Sequence, residues 1–161
     1  MRTVKNKQKG FSLIELLIVV AIILIIAAIA IPNLLRAKMA ANEASAVGSM
    51  RTINTTSVEY STTYGGYPPT LVSLGGPAGG APTASSAELI DAVLAAGTKS
   101  GYAFTWTAGN SDANGNYQTY TISAAPTSLG TTGQRYFFTN QSGVIRAAVS
   151  TTATAASSPL S

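Results

Sequence analysis

An apolar run from Phe11 to Ile31 is the feature that most constrains how this chain can fold. As an α-helix, these 21 residues would be about 31 Å long, which matches the hydrocarbon core of a bilayer. One carboxylate, Glu15, lies near the start of the run. Because an ionisable side chain inside a membrane segment is costly, it usually marks a functional position. We therefore expect a membrane-spanning helix in which Glu15 has a specific role.

The charges around the run predict its orientation. The first ten residues contain four cationic side chains and no acidic one. The four are Arg2, Lys5, Lys7 and Lys9. By the positive-inside tendency, this leader stays in the cytoplasm and the following chain is exported. From Phe11 onward, six basic residues balance six acidic ones, so the net charge of +4 belongs to the leader. Specific nucleic-acid binding is therefore not expected.

A cleavable secretory signal would have a shorter apolar region that ends in small residues. This run is longer and ends at Ile31-Pro32-Asn33, so we expect the segment to be retained.

The residue types also limit the chemistry. The chain has no cysteine and no histidine, which excludes disulfides, thiolate sites, most zinc sites and Ser-His-Asp catalysis. We predict that the protein is not an enzyme and needs no cofactor.

The sequence K-G-F-S-L-I-E around Gly10 resembles the processing site of type IV pilins and of the pseudopilins of type II secretion. The resemblance implies that a prepilin peptidase cuts between Gly10 and Phe11 and methylates the new amino terminus of Phe11. Glu15 would then be the fifth mature residue, where the family has its glutamate. Pro32 matches the proline that bends or loosens the family's long helix, and by itself it predicts a kink or an interruption.

The same resemblance implies a path for the protein. It would sit in the bacterial inner membrane as a single-pass protein with a cytoplasmic N-terminus. An assembly platform with an ATPase would then polymerise it with copies of itself into an extracellular pilus or a periplasmic pseudopilus. In such a filament the Glu15 carboxylate would be buried, and burial of a charge is unfavourable without a partner. The Phe11 amine of a neighbouring subunit is the expected partner, and the pairing would set the axial register.

Beyond Pro32 the patterns predict an α+β fold, in which the long helix packs on a small antiparallel sheet to form a pilin-like head. We expect a cleaved leader over 1–10, a transmembrane or filament-core helix over 11–31, an amphipathic continuation over 32–64, a globular head over 65–150 and a flexible tail over 151–161.

The amphipathic continuation shows helical spacing. The side chains from Ala46 to Tyr60 recur every three or four residues and predict one buried helix face, whereas Glu43 is expected off that face. Ser85 and Glu88 fit a capping box for a short helix over about 86–96.

Four strands are expected in the head, near 102–107, 117–124, 135–139 and 144–149. The loop with Asp112 and Asn114 weakly resembles a calcium loop, but a hairpin turn is the stronger interpretation because Asn-Gly is a turn signal.

Three functions stay open at this point. A major pilin would build surface fibres for adhesion, motility or DNA uptake. A major pseudopilin, which Tyr67-Pro68-Pro69 favours, would build a periplasmic piston for type II secretion. A membrane-anchored binding module that never polymerises would keep residues 1–10.

Overall fold

The structure is a computed structural model that describes residues 10–76, 80–149 and 151–160. The chain divides into two compact units, residues 1–37 and residues 38–161. One continuous helix, α1 (Leu13–Tyr64), contributes to both units. The observed fold is α+β, as the sequence predicts, with the second part of α1 packed on an antiparallel sheet.

Helix α1 passes through Pro32 without a break in its helical assignment, so the expected interruption does not occur. At its other end, Gly65 has φ +84°, and its N–H donates to the Ser61 carbonyl at 3.0 Å. A glycine in this left-handed conformation is a common helix stop, and α1 ends two residues later than the predicted position near Thr62.

Within the described ranges, the sheet is an antiparallel meander of six strands in the order β1-β2-β3-β4-β5-β6, two more than expected. The strands are β1 (Thr98–Lys99), β2 (Tyr102–Ala108), β3 (Tyr120–Pro126), β4 (Arg135–Asn140), β5 (Arg146–Val149) and β6 (Ser158–Pro159). The two additional strands are the outermost ones and have two residues each, which is too short for periodicity to reveal.

The core lies between α1 and the face of the sheet that carries Tyr102, Phe104, Tyr120, Ile122 and Phe137. Alternate residues of β2 and β3 are buried, as the alternating pattern predicts. The helix buries the predicted stripe, which comprises Ala46, Met50, Ile53, Ser57 and Tyr60.

Glu43 is a correction to the expected stripe, because it is buried rather than off the buried face. Its Oε1 accepts hydrogen bonds from the backbone N–H groups of Gln134 at 2.8 Å and Arg135 at 3.2 Å. Its Oε2 pairs with Arg135 Nε at 2.7 Å. The side chain therefore ties α1 to the start of β4, a contact between residues 92 positions apart.

The predicted helix over 86–96 is wrong for most of its length, because only α2 (Ala92–Ala95) is helical. The cap is Asp91, whose Oδ1 accepts from Leu94 N–H at 2.9 Å, and not Ser85. Glu88 adopts φ +55°, which is incompatible with a helix. The backbone N–H groups of residues 87–90 instead donate to carbonyls of residues 73–75, at the end of a 3₁₀ helix (Leu71–Leu74).

The C-terminal tail also differs from expectation. Ala147 pairs with Ser158 in the ladder between β5 and β6, and Leu160 N–H donates to the Ile145 carbonyl at 2.8 Å. Ala153 is 2% exposed, and Leu160 packs against the core. These contacts order a Ser/Thr/Ala-rich segment whose composition had indicated flexibility.

Candidate processing and assembly site

The bond predicted to be cut lies outside regular structure. Gly10, Phe11 and Ser12 precede the first residue of α1, and all three are exposed. Phe11 is 83% exposed. Apart from the two chain neighbours of Gly10, no heavy atom of the described residues lies within 4 Å of the position that a Gly10 Cβ would occupy. Because exposed, non-helical backbone is where proteases act, the geometry is compatible with cleavage between Gly10 and Phe11.

Ser12 and Glu15 form a capping box at the start of α1. The backbone N–H of Ser12 donates to Glu15 Oε2 at 2.9 Å, and Ser12 Oγ accepts from Ile14 N–H at 3.3 Å. Free N–H groups at a helix start need such partners, and a carboxylate in the first turn also favours the helix dipole. Glu15 therefore defines the first turn within its own chain, a role that the S-x-x-E spacing signals and that sequence reasoning missed.

From Leu16 to Ile31 the helix presents apolar side chains on every side. Leu13, Leu24 and Ile25 are exposed to 75%, 62% and 63%. The helix is long enough and apolar enough to cross a membrane, and none of its most apolar stretch is buried inside the structure. A helix that is apolar all round is stable only when lipid or other protein surrounds it.

The loop with Asp112 and Asn114 uses its carboxylate internally. Asp112 Oδ1 accepts from the N–H groups of Asn114 at 2.8 Å and Asn116 at 2.9 Å, and Oδ2 accepts from Gln118 Nε2 at 3.3 Å. The hydrogen bond from the Asn116 N–H is the main reason that the pKa of Asp112 lies below its usual value. Within the described ranges, no three His, Cys, Asp or Glu side chains lie together as a metal site. The geometry favours the hairpin interpretation, and the weak resemblance to a calcium loop gains no support from it.

The similarity to known proteins covers a short part of the chain. Residues 5–31 match the model of the prokaryotic N-terminal methylation motif. A major component of the type IV wide pilus of Thermus thermophilus, PilA4, is 63% identical over 38 residues. The N-terminal segment is therefore similar to that of a type IV pilin. The match to PilA4 covers 24% of this chain and 29% of the relative, and no solved structure matches the chain.

The residues that match the methylation motif include the predicted processing and assembly positions. The matched region includes Gly10, Phe11 and Glu15, and it ends at Ile31, directly before Pro32. Most of the matched region is therefore the helical segment whose apolar side chains are exposed in the structure.

Proposed function

We propose that this protein is a structural subunit of a type IV pilus, cut after Gly10, methylated at Phe11 and polymerised through residues 11–31. The all-round apolar surface of that segment is the observation that carries the proposal. Each aliphatic side chain kept from water contributes about 1.5–3 kcal/mol. Lipid would cover the segment before assembly, and neighbouring helices would cover it afterwards. The segment could therefore move from the membrane into the filament without being exposed to water.

Glu15 is the group that distinguishes the two environments. In a bundle of apolar helices its carboxylate needs a cationic partner, and the free Phe11 amine of a neighbour would provide one. One of its oxygens, Oε2, already accepts from Ser12, and the capping geometry leaves Oε1 for a second partner. A subunit added out of register would leave the charge unmatched.

The wide-pilus name of the relative supports a pilus over a pseudopilus, since PilA4 is described as a major pilus component. The Tyr67-Pro68-Pro69 segment remains the observation that favours a pseudopilin of type II secretion. The inferred partners are the prepilin peptidase, an inner-membrane platform with its ATPase, and further copies of this chain. Fibre function in adhesion, motility or DNA uptake is a further part of the proposal.

Mass spectrometry of sheared fibres and washed membranes tests the processing. A methylated Phe11 terminus that is abundant in fibres is the expected result. The same terminus confined to membranes would instead favour the pseudopilin. An intact leader over residues 1–10 in every fraction would contradict the proposal and leave a simple anchored domain.

Two substitutions at one position separate charge pairing from helix capping. Glu15→Gln keeps an oxygen that can accept from Ser12 N–H but removes the charge, whereas Glu15→Ala removes both. If the charge sets register, both variants insert into the membrane and neither forms fibres. Normal fibre yield from Glu15→Gln, with loss only in Glu15→Ala, would show that capping rather than pairing is the requirement.

A further inference from the structure

The second unit contains a half-open cavity of about 290 Å³ at the C-terminal end of α1. Four tyrosine rings line it, and they belong to Tyr60, Tyr64, Tyr67 and Tyr117. The side chain of Asn116 completes the wall on the side of the loop between β2 and β3. We call this cavity the tyrosine cleft. Nothing in the proposed assembly through residues 11–31 uses it.

The walls of the tyrosine cleft are fixed before any ligand arrives. Tyr67 N–H donates to the Tyr117 carbonyl at 2.8 Å, which joins two of the wall segments. Trp106 Nε1 donates to the Pro68 carbonyl at 3.1 Å and holds the same segment on the sheet. At Gly66 an added Cβ would lie 2.7 Å from Asn116 Cβ, so only glycine permits this approach of the loop. Fixed walls reduce the entropy lost on binding.

Three of the four rings, those of Tyr60, Tyr64 and Tyr67, pack against another aromatic ring. Tyr60 and Tyr64 have centroids 4.6 Å apart, and Tyr67 meets Tyr120 edge-on at 4.7 Å. Tyr120 in turn stacks on Trp106 at 4.5 Å with an interplanar angle of 11°. Such pairs lie within the range of favourable aromatic contacts. The cleft therefore offers rigid aromatic faces rather than mobile side chains.

The polar groups of the cleft are neutral. The Tyr60 hydroxyl donates to the Ala84 carbonyl at 2.5 Å, and burial raises the pKa of Tyr60, which keeps its proton in place. Among the described residues, tyrosine hydroxyls donate hydrogen bonds at Tyr60, Tyr102 and Tyr120, and the hydroxyls of Tyr64, Tyr67 and Tyr117 make none there. Among the described lining residues there is no carboxylate, ammonium or guanidinium group. The nearby charge of Asp112 is already bound by its own loop.

We propose that the tyrosine cleft binds a neutral sugar ring, whose C–H face packs on the tyrosine rings and whose hydroxyls bond to the free phenol groups and Asn116. A sugar ring has one apolar face and a rim of hydroxyls, and this matches a pocket with apolar walls and a few placed polar groups. A charged ligand would lack a counterion among the described lining residues. An organic cation would use the ring faces but would form no hydrogen bond with the phenol hydroxyls.

Saturation-transfer NMR on the full-length protein in micelles tests the proposal. The detergent should carry a polyoxyethylene head group, because a maltoside head is itself a sugar. The probes are methyl glucoside, methyl galactoside and N-acetylglucosamine, with choline as the cationic comparison. We expect transfer to ring protons of at least one sugar, with millimolar affinity, and weaker transfer to choline. Transfer to none of the sugars, or to choline alone, would overturn the proposal.

Two variants locate the binding. Tyr64→Ala removes one aromatic wall and should weaken sugar binding at least tenfold. Tyr117→Phe removes only a hydroxyl, so it keeps the fold while weakening the same binding severalfold. Tyr136→Ala is the matched control, since Tyr136 is a half-buried tyrosine of β4 that does not line the cleft. Equal affinity in the wild type, Tyr117→Phe and Tyr64→Ala would place the sugar elsewhere and refute the assignment.

Discussion

Glu43 joins α1 to the start of β4 through three hydrogen bonds, and its replacement by alanine tests whether this contact holds the second unit together. The variant would leave the N–H groups of Gln134 and Arg135 without an acceptor and the Arg135 charge without a partner. Breaking a fully buried pair costs about 3–5 kcal/mol. The Arg135 side chain is 42% exposed and regains water, so we expect a loss of about 3 kcal/mol, near the lower limit.

A denaturant titration of the full chain, followed by the fluorescence of Trp106, measures this loss. Glu59→Ala is the matched control, because Glu59 is an exposed glutamate on the same helix. Its free energy of unfolding should stay within about 0.5 kcal/mol of the wild-type value. If the Glu43→Ala and Glu59→Ala midpoints coincide, the buried contact does not stabilise the second unit and the reasoning is refuted.

The pH dependence gives an independent test of the same contact. Burial alone raises the pKa of Glu43, but the bonds from Gln134 and Arg135 and the Arg135 charge outweigh it, so the folded pKa lies below the usual value. The stabilisation is therefore complete above the unfolded pKa and is lost as the pH falls through the folded pKa. Glu43→Gln should flatten the stability curve between about pH 5 and the acid limit. If the free energy of unfolding of Glu43→Gln falls with pH as steeply as that of the wild type, other carboxyl groups cause the loss.

Two smaller predictions use the same titration. Ser100 and Gly101 have φ of +51° and +74°, as in a type I′ turn, where asparagine is favoured at the first position. Ser100→Asn should therefore stabilise the second unit by about 0.5 kcal/mol, and a lower unfolding midpoint would contradict this. Leu160→Ala should destabilise it by about 1–2 kcal/mol, because Leu160 packs on the core, whereas the exposed Leu129→Ala should change little. Equal midpoints for the two leucine variants would mean that the tail does not contribute.

The parts of the fold that could be predicted are those set by local pattern. The alternation of Tyr102, Phe104 and Trp106 gives β2 within about a residue, and the helical stripe from Ala46 to Tyr60 gives the buried face of α1. The motif from Gly10 to Glu15 is equally local, since it lies within six consecutive residues. In each case the residues that decide the structure are neighbours in the sequence.

The parts that were missed depend on distant partners. Glu43 looks like a surface residue until the start of β4 supplies its hydrogen bonds. The helix expected over 86–96 satisfies a capping rule, yet carbonyls of residues 73–75 compete successfully for its N–H groups. The tyrosine cleft gathers rings from three segments, and only Tyr60 belongs to the predicted stripe. Tyr60 is buried as predicted, whereas Tyr64 and Tyr67 are half-exposed. No local pattern carries this information.

The two parts of α1 therefore differ in what covers their side chains. This difference predicts that substitutions can affect fibre formation and folding separately. From Leu16 to Ile31 the helix is apolar all round and is not covered by the described residues of its own unit, so lipid or other chains must cover it. After Lys38 one stripe is buried, and a single carboxylate, Glu43, makes a defined contact. Glu15→Gln should accordingly abolish fibres while leaving the denaturant midpoint of the second unit unchanged. Glu43→Ala should lower that midpoint, yet those chains that do fold should still be cut after Gly10.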